Sequence, residues 1–237
     1  MCTLTYFIQD ETLLVGFNRD EQLSRKSGIP PALYEESGVR YLSPRDGQSN
    51  GTWIGVNEFG IVVCLLNYYD KTPPGANSRS YESRGLLVNT MLRMESLENL
   101  EKLLKKMQLS LYLPFRLVVL TLKQVGLQVA WDGSELLFEP CEDLVVSSSF
   151  DVGACRLSRG QVYRDFDWGS APSMESIVRF HSSHLLEKGP LSVCVHRPDV
   201  ETVSFTGITL TSDKAEMVYT TGSPCTTGLG APVSIKI

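Results

Sequence analysis

Met1-Cys2-Thr3-Leu4-Thr5-Tyr6-Phe7-Ile8-Gln9-Asp10-Glu11, continuing as Thr12-Leu13-Leu14-Val15-Gly16-Phe17-Asn18-Arg19-Asp20-Glu21, is the stretch on which the fold turns. Thr3 to Gln9 alternates and is rich in Thr, Tyr, Phe and Ile, Asp10-Glu11 is polar enough to turn, and Thr12 to Phe17 resumes an apolar run. That pattern reads as a β-hairpin. A hairpin returning to its origin carries residues 17–20 back beside residue 2. The polar run Asn18-Arg19-Asp20-Glu21 therefore ends next to a cysteine that becomes N-terminal once Met1 is removed.

Outward from the hairpin, Gln22 to Asp46 reads as loop, with Gly28, Pro30-Pro31 and Pro44 as punctuation. Thr52 to Val56 and Gly60 to Asn67 read as strands. The second is continuously apolar from Ile61 to Leu66, as a strand covered on both faces would be. A Pro/Gly loop is expected over Asp70 to Ser78 and a helix from about Ser80 to Met94. Ser96 is placed to cap a second helix carrying Leu97, Leu100, Leu103, Leu104 and Met107 at helical spacing. Strands follow over Arg116 to Leu122 and Leu127 to Trp131, around a turn at 123–126. Asp132-Gly133 signals a hairpin into Glu135 to Phe138. Leu144 to Val146 is a short strand, Ser173 to Lys188 a helix stopped by Gly189-Pro190, and Val203 to Thr211 and Glu216 to Thr220 the last strands. The tail after Gly222 reads as irregular. Antiparallel-looking strand pairs with segregated helices place the chain in the α+β layered class, as one domain over 1–237.

Composition narrows the function. Of 237 residues, 42% are hydrophobic and 21% charged, which is ordinary globular usage. A net charge of −5 is the opposite of the basic footprint that nucleic-acid binding needs. No apolar run approaches a membrane span. The six cysteines are widely spaced and no secretory signal opens the sequence, which points to a cytoplasmic protein with reduced thiols. No C-x-x-C occurs, which argues against a structural zinc site.

Cys2 carries the clearest chemistry. With its α-amine free, one residue holds both nucleophile and base: the amine titrates near ~7.7–8.0 and can take the thiol proton. The small residue after Met1 permits its removal. At the end of the partner strand, an arginine would favour the thiolate and a carboxylate would orient the amine. Taken alone, that polar run also fits a solvated strand end. Asn67, ending the buried strand, can donate to an oxyanion or merely cap a turn. The same pair of readings holds for Ser147-Ser148-Ser149. His181 and His184 lie three apart on the expected helix, without an evident third metal ligand. His196 allows a dyad with a buried cysteine, but no local signature accompanies it. No phosphate loop is present, and no cofactor is called for.

In order, Met1-Cys2, Asn18-Arg19-Asp20-Glu21, Ser24-Arg25, Ser43-Pro44-Arg45-Asp46, Gly51-Thr52-Trp53-Ile54-Gly55-Val56-Asn57, Leu66-Asn67-Tyr68 and Ser83-Arg84-Gly85-Leu86-Leu87 resemble the NRDE family, relatives of the transport-and-Golgi-organisation proteins. Ser147-Ser148, Ser192 to His196 and Thr202 to Leu210 continue the match. That family is in turn similar to the N-terminal-nucleophile hydrolases of the choloylglycine hydrolase and penicillin V acylase group. The resemblance implies an αββα sandwich. It implies Cys2 as nucleophile, Asn18, Arg19 and Asp20 beside it, Asp20 near the α-amine, and Asn67 in the oxyanion hole. Ser148 stands where the acylases carry a second oxyanion asparagine and Phe17 where they carry an arginine; a late arginine has no match near 203–206. The expected activity is hydrolysis of a linear amide through a thioester on Cys2, with a small-molecule amide or acyl substrate. The alternative is a non-catalytic carrier of a lipid, acyl-CoA or haem.

Overall fold

The computed structural model describes residues 2–72, 80–123, 126–184 and 187–237. The opening hairpin forms as read. Strand β1 (Cys2–Gln9) pairs antiparallel with β2 (Thr12–Gln22), and Cys2 faces Arg19 across the register. Asp10 and Glu11 both take positive φ, 45° and 58°. This is the two-residue geometry whose twist matches that of the flanking strands.

Residues 29–45, expected as loop, form a second hairpin of β3 (Ile29–Glu36) and β4 (Val39–Arg45). Pro30 and Pro31 sit at the outer edge of a sheet, beside a register shift between Ile29 and Ala32, where a strand tolerates a missing N–H. The strands β5 (Ile54–Asn57), β6 (Val62–Asn67), β7 (Phe115–Leu120), β8 (Leu127–Trp131) and β9 (Leu136–Glu139) continue this sheet in chain order, giving a seven-stranded antiparallel meander. The other sheet has six strands. β10 (Leu144–Ser147) pairs with β1 on the side away from β2, and β11 (Val200–Leu210), β12 (Lys214–Thr221) and β13 (Val233–Lys236) extend from β2. The tail after Gly222 therefore contains a strand, β13, that was not expected.

Burial follows the alternation of each strand. Leu4, Val15 and Phe17 of the first sheet pack on Val62, Cys64 and Leu66 of the second, forming the core between the sheets. The opposite face of β6, Val63 and Leu65, packs on helix α1 (Arg84–Met91) and helix α2 (Leu97–Lys106). That is why this strand is apolar on both faces. Ser96 caps α2 by accepting from the Asn99 amide at 3.2 Å. Helix α3 (Val152–Asp165) and helix α4 (Met174–His181) cover the outer face of the first sheet through Val162, Ile177 and Phe180. The result is the four-layer αββα sandwich with mixed α and β content.

Helix α3 went unread because its buried stripe is Cys155, Arg159 and Val162, and an arginine interrupts the apolar pattern. Helix α4 stops at His181 and residues 182–184 are not helical, so the helix expected to run to Lys188 is shorter than read. The expected loop over 70–78 lies largely outside the described residues, as do residues 124–125 of the turn at 123–126, residues 185–186, and Met1. Among the described residues no helix is long and apolar enough to cross a membrane.

Candidate active site

Cys2 begins β1 between two neighbours, Arg19 on β2 and Ser147 on β10. It opens onto a cavity of about 450 Å³ whose wall includes Arg19, Asp20, Asp46, Trp53, Asn67 and Arg84. The Cys2 residue is only 7% exposed. Burial pushes its thiol up to about 11, and the Asp20 carboxylate adds to the rise. The Arg19 guanidinium and the Asp20 backbone N–H pull the other way. Without a base at hand this cysteine stays a thiol at neutral pH.

Strand alternation divides the polar run of β2 between two faces. Arg19 points between the sheets with Phe17. Its guanidinium lies 4.3 Å over the Trp53 ring and donates to Asp46 Oδ2 at 2.6 Å. Arg25 grips the same carboxylate with two bonds of 2.9 Å, and the Ser49 amide and hydroxyl donate to Oδ1. Burial would raise the Asp46 carboxyl. The hydrogen bonds from Arg25 and Ser49 outweigh it and hold the group well below the usual carboxylate range. Asp46 thus locks the guanidinium beside Cys2.

Asp20 points to the helix side, where it is fully enclosed. Its Oδ1 accepts from Thr202 Oγ1 at 2.6 Å, and its Oδ2 lies 3.8 Å from Arg159 Nη1. Burial pushes Asp20 up from the ordinary carboxylate value against the pull of the Arg159 guanidinium. Arg159, itself buried, donates to Thr3 Oγ1 at 2.7 Å and to the Pro190 carbonyl at 3.3 Å. It is a site residue the sequence reading missed, and its signal is the N-cap Asp151 preceding a stripe at 155, 159 and 162.

Asn18 shares the helix side but not the cavity. Its amide donates to the carbonyls of His181 and Val193, at 2.8 and 3.0 Å, so it ties β2 to the layer above rather than facing Cys2. Asn67 does line the cavity, with Nδ2 donating to Tyr69 Oη at 2.8 Å and its carbonyl accepting from Ser147 Oγ at 2.6 Å. Ser148 lies past the end of β10, outside the cavity lining, and its hydroxyl accepts from the Phe150 amide and the Cys155 thiol. Ser147, one residue earlier, is the serine that reaches Asn67.

The glycine motifs shape the opposite wall. A Cβ on Gly51 would come within 2.5 Å of the Gly85 backbone, and the Thr52 amide donates to the Gly85 carbonyl at 3.1 Å. Only glycine allows this approach, which sets Arg84, the first residue of α1, into the cavity wall. Arg84 Nη1 donates to the Pro114 carbonyl at 2.9 Å, and burial lowers its pKa.

The histidines separate. His181 Nε2 meets Thr5 Oγ1 at 2.9 Å, and burial, with Arg159 nearby, lowers it to about 3, so it is a neutral packed residue. His184 does not join it as a metal pair.

This arrangement of motifs has known relatives. Residues 1–151 match the family described as Transport and Golgi organisation 2. The chain belongs to that family. No curated protein matches it by sequence. Among solved structures, this member of the family is similar to an N-acylethanolamine-hydrolyzing acid amidase ortholog from Caenorhabditis elegans. The TM-score is 0.59 at 13% identity, over 88% of this chain and 92% of that one. It is similar also to a mutant conjugated bile acid hydrolase from Clostridium perfringens (TM-score 0.56, 13% identity, 100% and 92% covered). Penicillin V acylase from Agrobacterium tumefaciens gives a TM-score of 0.54 at 12% identity, over 97% and 84% of the two chains. The shared fold is that of the N-terminal-nucleophile hydrolases.

Proposed function

We propose that the chain is an amidohydrolase that cleaves a linear C–N bond with Cys2 as an N-terminal nucleophile. The observation that carries this reading is the position of Cys2: the first residue of a central strand, at the floor of a cavity, between Arg19 and Ser147 and close to the buried Asp20. Removal of Met1 frees the α-amine. The amine takes the thiol proton as Sγ attacks the substrate carbonyl, and passes it to the leaving nitrogen as the C–N bond breaks. Water then adds to the thioester, releasing the acid and regenerating the thiol. Donors at the rim, the Asn67 amide first among them, stabilise the oxyanion, an effect worth about 3 kcal/mol per donor in comparable sites. Asp20, held by Thr202 and Arg159, orients the amine, and Arg19 favours the thiolate. The raised thiol pKa in the enclosed site supports a need for the adjacent amine.

Two of the structures that share the fold are named as an acid amidase and a penicillin V acylase, which favours a small-molecule amide or acyl substrate. The six free cysteines fit a reducing, cytoplasmic setting.

The test is intact-mass analysis of Met1-processed protein treated with activated acyl esters. A single acyl adduct on Cys2, lost on standing in water and missing in Cys2→Ala, is expected. No adduct across short and long acyl chains, together with unaltered ligand retention in Cys2→Ala, overturns the reading in favour of a carrier for a lipid, acyl-CoA or haem. That second reading draws on one observation: the hydroxyl of Ser148, which the resemblance sets in the place of a second oxyanion asparagine, meets Phe150 and Cys155 instead of the cavity.

A further inference from the structure

Outside the Cys2 cavity, among the described residues, one group of side chains has the composition of a metal site: His184, Cys194, His196 and Cys225. One donor atom from each lies within 4.8 Å of every other. They come from three places in the chain: just after α4, the segment leading into β11, and the turn after β12. We propose that these four residues bind one zinc ion as a tetrahedral Cys2His2 site.

The distances fit the metal. With Zn–S near ~2.3 Å and Zn–N near ~2.0–2.1 Å, tetrahedral angles set ligand N···S separations of about 3.6 Å. His196 Nε2 lies 3.6 Å from Cys194 Sγ and 3.3 Å from Cys225 Sγ. The His184 and His196 rings are 5.0 Å apart between centroids, tilted by 53°. His184 Nε2 is buried and has no hydrogen-bond partner, a cost that a ligated ion removes. On the far side of the His196 ring, Nδ1 faces Glu201 Oε1 at 3.9 Å. That carboxylate lies beyond hydrogen-bond distance, but its charge favours a proton on Nδ1, the tautomer whose Nε2 lone pair faces the ion. Two thiols lose their protons to solvent on binding, so two thiolates and Zn2+ form a neutral centre. Two sulfurs and two imidazoles in a tetrahedron select zinc among the common divalent ions.

The site has a structural task. The segment from 187 to 199 has no helix and no extended strand, and the Cys225 turn is irregular. Between Cys194 and His196, the Val195 amide donates to Thr202 Oγ1 at 2.8 Å, and that hydroxyl donates to Asp20. Ser223, at the start of the Cys225 turn, donates to the Thr202 carbonyl at 2.7 Å. An ion pinning Cys194, His196 and Cys225 thus fixes the residue that aims Asp20. This holds whether or not Cys2 turns over a substrate.

The experiment uses the full chain in reduced form, in a Cys2→Ala background so that the cavity thiol contributes nothing. Expected results are one zinc per chain by elemental analysis, and a melting temperature that rises with added zinc and falls with a chelator. The cobalt-substituted protein should show thiolate-to-cobalt charge-transfer bands and the intense d–d bands of four-coordinate geometry. Cys225→Ser should weaken zinc by at least about 100-fold and Glu201→Gln by about 10-fold. A reduced chain that takes up no zinc at micromolar free metal, or whose cobalt form lacks thiolate bands, overturns the assignment. So does a Cys194–Cys225 disulfide that survives reductant. The uptake and cobalt measurements need only the Cys2→Ala chain with all four ligands intact, and can be repeated on the unmutated chain, so a ligand variant that fails to fold leaves the test intact.

Discussion

Replacing Asp46 by asparagine keeps the shape of the side chain and removes its charge. In the folded protein Asp46 accepts bonds from Arg19, from Arg25 twice, and from the Gln48 and Ser49 amides and the Ser49 hydroxyl. Its side chain and that of Arg19 are each 7% exposed, whereas Arg25 is 31% exposed. An amide NH2 in place of one oxygen turns a donor toward a guanidinium that has only donors. Removing one partner of a buried pair costs about 3–5 kcal/mol. The Arg25 share is screened by solvent and adds little. We expect about 3–4 kcal/mol in all. At roughly 2–4 °C per kcal/mol for a chain of this size, the melting temperature falls by about 6–16 °C near pH 7.

The pH dependence has a defined sign. The folded carboxyl titrates below its unfolded value of about 3.9, so its contribution is complete above that value and is lost as pH falls toward the folded pKa. The gap between parent and Asp46→Asn is therefore widest at neutral pH and narrows below about pH 4. Calorimetric scans at several pH values measure both quantities. A drop of under about 3 °C at pH 7, or a gap that stays constant down to pH 3, would refute the assignment of Asp46 as the charged anchor of Arg19.

Thr202→Val removes both the donor to Asp20 and the acceptor for the Val195 amide. Two buried hydrogen bonds predict a loss of about 2–3 kcal/mol by urea unfolding, and acylation of Cys2 should slow even where the protein remains folded. Gly51→Ala places a methyl 2.5 Å from the Gly85 backbone and is expected to cost about 1–3 kcal/mol in the same assay, with reduced access of acyl probes to Cys2. Ser173→Ala deletes the hydroxyl that accepts from the Ser176 amide in the capping box of α4, with an expected loss of about 1 kcal/mol and no change in Cys2 labelling. Protein that retains Met1 should resist acylation at neutral pH, because the Cys2 amine is then part of a peptide bond and the thiol titrates near 11; rapid labelling of that form, seen by intact mass, would count against the amine as base.

Local signals carried far in the first sheet. An alternating run before the polar pair Asp10-Glu11 and an apolar run after it mark the hairpin without any tertiary help, and both residues of the pair take the positive φ such a turn needs. The double-faced burial of β6 was equally legible, since only an element covered on both sides reads as unbroken Val, Cys and Leu. The β3–β4 hairpin was not legible. Prolines at a sheet edge look the same in sequence as prolines in a loop, and what distinguishes them is the edge position, fixed by strands elsewhere in the chain. Helix α3 hid for a related reason: Arg159 is buried because Asp20 and Thr3 await it across the layer, and no window of its own sequence contains them.

The same division runs through the site. Antiparallel pairing makes Arg19 a neighbour of Cys2 from sequence distance, whereas Arg19 and Asn67 taken alone also fit bland strand ends, and the family resemblance is what assigned them to one site. Which face each polar residue takes was decided by packing: Arg19 turns to Trp53 and Asp46, Asp20 to Thr202 and Arg159, Asn18 to backbone carbonyls, and Ser147 rather than Ser148 reaches Asn67. The cysteines show the limit most clearly. The sequence by itself determined that Cys2 could be an N-terminal nucleophile, a property of one residue and its position. Only the tertiary structure brought Cys194 and Cys225 to His184 and His196, because a ligand set drawn from three distant segments exists only after the sheet and its helices have closed around it.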